Sequence, residues 1–142
     1  MLEEIFMTES YNVLFVDDET DYLDTLIKRM SKRKINVAGV KSGEAALEFL
    51  KNMPETQIID VVILDVRMPG MDGIQTLKEI KNIAPDIEVI MLTGHANLEV
   101  AKEGMENGAF DYMMKPADMD DLLLKIQDAY KKKSLRGKKA KV

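Results

Sequence analysis

Val61-Val62-Ile63-Leu64-Asp65 is an unbroken apolar run that ends in a carboxylate, and Met68-Pro69-Gly70 follows it as a turn. Four aliphatic residues in succession, mostly β-branched and without polar alternation, read as a central parallel strand covered on both faces. The same pattern recurs outward from it. Val13-Leu14-Phe15-Val16 precedes it and Val89-Ile90-Met91-Leu92 follows it, while Asn36–Val40 is a weaker strand and Tyr112-Met113-Met114 a short one. Helical spacing fills the intervals. Leu23, Leu26, Ile27 and Met30 form the first inward stripe. Ser42 reads as an N-cap for a helix with Ala46, Leu47 and Leu50 inward. Ile74, Leu77 and Ile80 form the third stripe, the segment 97–107 is poorer in large apolar residues, and Leu122, Leu123, Ile126 and Tyr130 form the last. Five strand–helix units predict an α/β fold with helices on both faces of a parallel sheet. With right-handed crossovers, the doubly wound, flavodoxin-like strand order 2-1-3-4-5 is expected. Sites in such sheets gather at the carboxyl ends of the strands.

The 142 residues suit one domain. Composition divides them into an N-terminal extension (1–10), a body (11–131) and a basic tail or linker (132–142). Hydrophobic residues make up 46%, enough for a substantial core. The absence of cysteine excludes disulfides and thiolate metal sites, and the single histidine, His95, excludes a multi-histidine site within the chain. No apolar run approaches the roughly 20 residues of a membrane span. Met1–Met7 lacks a basic secretory n-region, so a cytoplasmic protein that does not engage membrane is expected. Of the 20 Lys and Arg residues, seven lie between Lys131 and Lys141. The remainder sets 13 basic against 25 acidic side chains. So acidic a body disfavours direct nucleic-acid binding and suits a cation site.

Four strands end in polar or charged residues: Asp17-Asp18-Glu19, Asp65, Thr93-Gly94-His95 and Lys115-Pro116. Strand two delivers only Lys41 and is expected at an edge. Asp17, Asp18 and Asp65 would crowd together, and like charges at close range recruit a cation. Oxygen-only ligands favour a hard ion, with Mg2+ the best fit and Mn2+ or Ca2+ as substitutes. A carboxylate nucleophile, a metal, a lysine and a hydroxyl are the parts of phosphoryl transfer to aspartate.

The blocks Asp17-Asp18, Ile63-Leu64-Asp65-Val66-Arg67-Met68-Pro69-Gly70-Met71-Asp72-Gly73, Leu92-Thr93-Gly94 and Lys115-Pro116, in that order, resemble the receiver domains of bacterial two-component response regulators. The likeness covers about residues 12 to 131. It implies that Asp65 is the phosphoacceptor, taking its phosphoryl group from a histidine kinase or phosphotransfer protein. It implies that Asp18 binds Mg2+ directly, that Asp17 acts largely through water, and that Asp65 and the backbone carbonyl of Arg67 complete the metal site. Thr93 and Lys115 would hold the phosphoryl oxygens, and the Lys115–Pro116 bond would be cis. Tyr112 would be the aromatic switch that turns inward with Thr93. That movement would alter the face of the fourth helix, fifth strand and fifth helix toward a downstream effector or a phosphorylation-dependent homodimer. Arg67 and His95, each two residues beyond a site residue, would tune the lifetime of the phosphoryl group.

Two other classes fit less well. An aspartate-nucleophile phosphatase needs a second carboxylate two residues after the nucleophile, and Arg67 stands there. A flavin or nucleotide carrier needs a phosphate-wrapping loop after strand one, where Asp17-Asp18-Glu19 would repel phosphate. The expected protein is a signalling phosphoacceptor with slow self-catalysed phosphorylation and dephosphorylation, and not a turnover enzyme.

Overall fold

The computed structural model describes residues 11–33, 35–54, 56–66, 72–94 and 98–140. Arg67 and His95 lie outside them. Strands and helices alternate as β1 (Asn12–Val16), α1 (Thr20–Ser31), β2 (Asn36–Val40), α2 (Gly43–Lys51), β3 (Val61–Asp65), α3 (Gly73–Ile83), β4 (Glu88–Thr93), α4 (Leu98–Glu106), β5 (Asp111–Met114) and α5 (Met119–Ala140). All four strand pairings are parallel and the order is β2-β1-β3-β4-β5. This is the flavodoxin-like arrangement that the strand pattern predicts. The chain reverses its winding between β1 and β3, which pair from Val13↔Val61 to Val16↔Leu64. Asp17 and Asp65 therefore leave neighbouring strands at the same rim.

Side-chain alternation sorts the core into two layers. Leu14, Val16, Val62, Leu64, Val89 and Met91 point to one face, where Ala46, Leu47, Leu77 and Ile80 of α2 and α3 cover them. Val13, Phe15, Val61, Ile63, Ile90 and Leu92 point to the other, against Leu23, Leu26 and Met30 of α1 and Leu122, Ile126 and Ala129 of α5. Both faces of β3 are thus buried, the physical reason for its unbroken apolar run. Truncating a fully buried residue such as Leu64 or Ile63 to Ala is expected to destabilise by about 2–5 kcal/mol. Leu50, Ile74, Leu123 and Tyr130, read as inward from their spacing, are only half-buried at the margins of these layers.

Side-chain caps open three of the helices, α2, α3 and α5. Ser42 Oγ accepts from Ala45 N–H at 3.0 Å and Asp72 Oδ1 from Gln75 N–H at 2.8 Å. Asp118 Oδ1 accepts from the N–H groups of Asp120 and Asp121 at 2.9 and 3.0 Å. Gly73 opens α3 against the end of β3, and a Cβ there would fall 2.3 Å from Val66 Cα and 2.7 Å from Asp65 O. Only glycine permits that approach, and it fixes the backbone just beyond Asp65.

The C-terminal helix runs on into the basic segment. α5 does not stop where the composition turns basic near residue 132 but continues to Ala140. Two of its lysines reach back to the sheet: Lys133 Nζ donates to Asp60 Oδ1 at 2.9 Å, and Lys132 Nζ lies 3.8 Å from Glu88 Oε2.

Candidate functional site

Each parallel strand carries its C-terminal residue to one rim, and the rim collects what the strands end in. Asp17 follows β1, and its backbone N–H donates to Val40 O at 3.1 Å, joining the ends of β1 and β2. Asp65 closes β3 and Thr93 closes β4. Lys115 follows β5, and its N–H donates to Thr93 O at 2.8 Å, joining the ends of β4 and β5. The Lys115–Pro116 peptide bond is cis. Carboxylate oxygens of Asp17, Asp18 and Asp65 all lie within 4.8 Å of one another.

The lysine sits among these acids. Its ammonium is 2.7 Å from Asp17 Oδ2, 2.8 Å from Glu19 Oε1 and 3.2 Å from Asp65 Oδ2. Asp17 and Asp65 are each 3% exposed. Burial by itself would lower the lysine pKa. The hydrogen bonds to Asp17 and Glu19 and the charge of Asp65 outweigh it, and Lys115 is held above the ordinary lysine range. It stays a cation at neutral pH.

Two contacts of Lys115 were not legible in the sequence. Glu19 ends the acidic run, and its own N–H donates to Asp17 Oδ1 at 2.9 Å while its carboxylate reaches Lys115. Tyr22 places its ring 4.8 Å from Lys115 Nζ, and its hydroxyl accepts from Ala117 N–H at 3.4 Å. Its hydroxyl pKa is raised, burial outweighing the Ala117 hydrogen bond and the Lys115 charge. Tyr22 lies in the first turn of α1, directly after the acidic run, but its contact with Lys115 joins residues 93 positions apart and leaves no local pattern.

The structure thus brings together Asp17, Asp18, Asp65 and Lys115, with Thr93 buried at the end of β4 and bonded through its carbonyl to Lys115. Tyr112 stands apart from this cluster in β5, in register with Met91 and 36% exposed. The expected roles of Arg67 and His95 fall on residues outside those described.

The sequence profile of the response regulator receiver domain matches residues 13–127. The chain belongs to this receiver family. It is 39% identical over 121 residues to the transcriptional regulatory protein ZraR of Escherichia coli strain K12, covering 85% of this chain and 26% of ZraR. It is 35% identical over 130 residues to the regulatory protein AtoC of the same strain, covering 92% of this chain and 27% of AtoC. This receiver therefore spans about a quarter of the length of these curated relatives. Among solved structures, a response regulator receiver domain from Clostridium thermocellum superposes with a TM-score of 0.81 at 36% identity, covering 88% of this chain and 98% of that one. A CheY-like receiver domain from Methanospirillum hungatei superposes at 0.83 with 26% identity, covering 90% and 99%. Among the described residues, no helix of the receiver is long and apolar enough to cross a membrane.

Proposed function

We propose that this receiver takes a phosphoryl group onto Asp65 from the phosphohistidine of a sensor histidine kinase or phosphotransfer protein, and that the modified rim reshapes the α4–β5–α5 face toward an effector or a second copy. The observation that carries the reading is the set Asp17, Asp18, Asp65 and Lys115, in which a buried carboxylate stands beside two further acids and within reach of one ammonium. A carboxylate oxygen of Asp65 attacks phosphorus, the new O–P bond forms as the N–P bond to the donor imidazole breaks, and the imidazole leaves with its electron pair and takes a proton.

The donor set fits a hard divalent cation, since it is oxygen only and carboxylate oxygens of three aspartates lie within 4.8 Å of one another. Asp17, Asp18 and Asp65 would hold Mg2+, with the Arg67 carbonyl as a further ligand from the sequence resemblance; Mn2+ or Ca2+ could substitute. Bound there, the ion would offset charge on the phosphoryl oxygens during transfer. Lys115 is already aimed at Asp65 and would pass from its carboxylate to a phosphoryl oxygen. The hydroxyl of Thr93 would donate to another. Those contacts exist only with the phosphoryl group in place, so they can favour one conformation over another. Tyr112, exposed on β5, is the residue whose inward turn would report the change. Arg67 and His95 would set the rate of hydrolysis. The chemistry is a slow self-catalysed uptake and loss of one group.

Incubation with a small phosphodonor and Mg2+, followed by intact-mass measurement, tests the reading. Wild type is expected to gain one phosphoryl group and Asp65→Asn none. Uptake by both proteins, or by neither, would overturn it.

A further inference from the structure

Lys115 faces a mechanical difficulty that its carboxylate contacts do not solve. Two of its three acidic partners, Asp17 and Asp65, are the groups whose occupancy changes when a cation and a phosphoryl group arrive. The third, Glu19, has a side chain 62% exposed and belongs to the turn before α1. A long, flexible lysine chain held by two partners that are exchanged during the reaction and a third that is mostly exposed would lose its aim at the moment it is needed.

Tyr22 provides a contact of another kind. Its ring lies 4.8 Å from the ammonium, within cation–π range, and an uncharged ring does not compete for the incoming cation or phosphate. Its backbone is fixed in α1 beside Leu23 and in the same turn region as Leu26, both buried in the core layer. Its hydroxyl accepts from Ala117 N–H, two residues beyond Lys115. One side chain therefore touches the tip of the lysine and the backbone turn that carries it. The ring also lines a cavity of about 320 Å³ with Leu26, Pro116 and Met119, so it stands between α1 and the segment leading into α5.

We propose that Tyr22 is a positioning residue for Lys115, its ring keeping the ammonium at the phosphoryl position while the carboxylate partners of that lysine change. The inference rests on the phosphoacceptor reading of Asp65. It distinguishes the two parts of the side chain, since the ring is required and the hydroxyl is secondary.

The test compares wild type, Tyr22→Phe and Tyr22→Leu in single-turnover phosphorylation by acetyl phosphate at saturating Mg2+, with melting temperature and Mg2+ affinity measured alongside. Tyr22→Leu is expected to slow phosphorylation about three- to tenfold, the size of one partly buried ring–cation contact, with Mg2+ affinity unchanged. Tyr22→Phe should stay within about twofold of wild type, because it keeps the ring. In parallel, the ε-methylene resonances of Lys115, identified with Lys115→Arg, should be shifted by the ring current in wild type and Tyr22→Phe and should return to ordinary lysine values in Tyr22→Leu. That readout needs no phosphorylation. Wild-type uptake with equal rates in all three proteins, or an unshifted wild-type Lys115 resonance, overturns the role of Tyr22. A wild type that takes up no phosphoryl group while the resonance is shifted overturns instead the phosphoacceptor reading beneath it.

Discussion

The two ends of the sheet bury acids in different ways. At the amino ends of the strands, Asp60 directly precedes β3 and Glu88 opens β4. Asp60 Oδ2 accepts from Asn12 N–H at 2.9 Å and Oδ1 from Lys133 Nζ at 2.9 Å, and Lys132 lies beside Glu88. Two carboxylates meet two ammonium groups there. At the carboxyl ends, Asp17, Glu19 and Asp65 gather around Lys115, with Asp18 beside Asp17 and Asp65, so among the described residues three carboxylates share one ammonium and a fourth stands next to them. The first arrangement is charge-balanced and its oxygens are satisfied by the chain itself. The second sets two buried acids, Asp17 and Asp65, and two more exposed ones, Asp18 and Glu19, against one ammonium among the described residues, a balance that a bound cation would improve. Burial of acids is thus not the mark of a site; the imbalance is.

That contrast can be broken by experiment. Asp65→Asn should carry the largest effect on function, with complete loss of phosphoryl uptake by mass measurement. In urea denaturation the same variant should be no less stable than wild type, because it removes one charge from an over-acidic cluster while Lys115 keeps Asp17 and Glu19. A clear loss of stability would show that the rim was balanced after all.

Added Mg2+ should stabilise wild type by about 2.7 kcal/mol at a hundred times its dissociation constant, read as a rise in Tm, and the rise should vanish in Asp18→Asn. Equal rises in both proteins would place the cation elsewhere.

At the opposite end the order of effects reverses. Lys133→Ala should destabilise by about 2 kcal/mol in urea, since Asp60 loses a charged hydrogen-bond partner in a mostly buried setting, while phosphorylation stays within about twofold of wild type. Lys132→Ala should cost less than about 1 kcal/mol, because that lysine is 55% exposed and 3.8 Å from Glu88. A change in phosphoryl uptake from either lysine would show that the two ends are coupled through α5.

The C-terminal helix shows why one part of the molecule was hard to read. The inward stripe of α5 runs through Leu122, Ile126 and Ala129 and then arrives at Lys133. Spacing continues while chemistry changes, because the surface met by the fourth position is Asp60 and not an apolar strand. Composition therefore suggests a solvated tail from 132, whereas the helix continues with two of its lysines turned to the sheet. Tyr22 is a similar case from the other side. Its place on a helix follows from the pattern, but its ring meets Lys115 only because α1 and the turn after β5 pack together.

The order of apolar runs and helical stripes was enough to determine five parallel strands, their winding and the rim on which Asp17, Asp18, Asp65, Thr93 and Lys115 would emerge, because hydrophobic period and right-handed crossover are local rules with few solutions. Which acids share the lysine, which lysines answer Asp60 and Glu88, and which aromatic ring lies against Lys115 were decided by tertiary packing alone. Those are contacts between residues as far apart as Glu19 and Lys115, and the sign and number of charges brought together at such distances are set by how helices settle on the sheet, which no local pattern encodes.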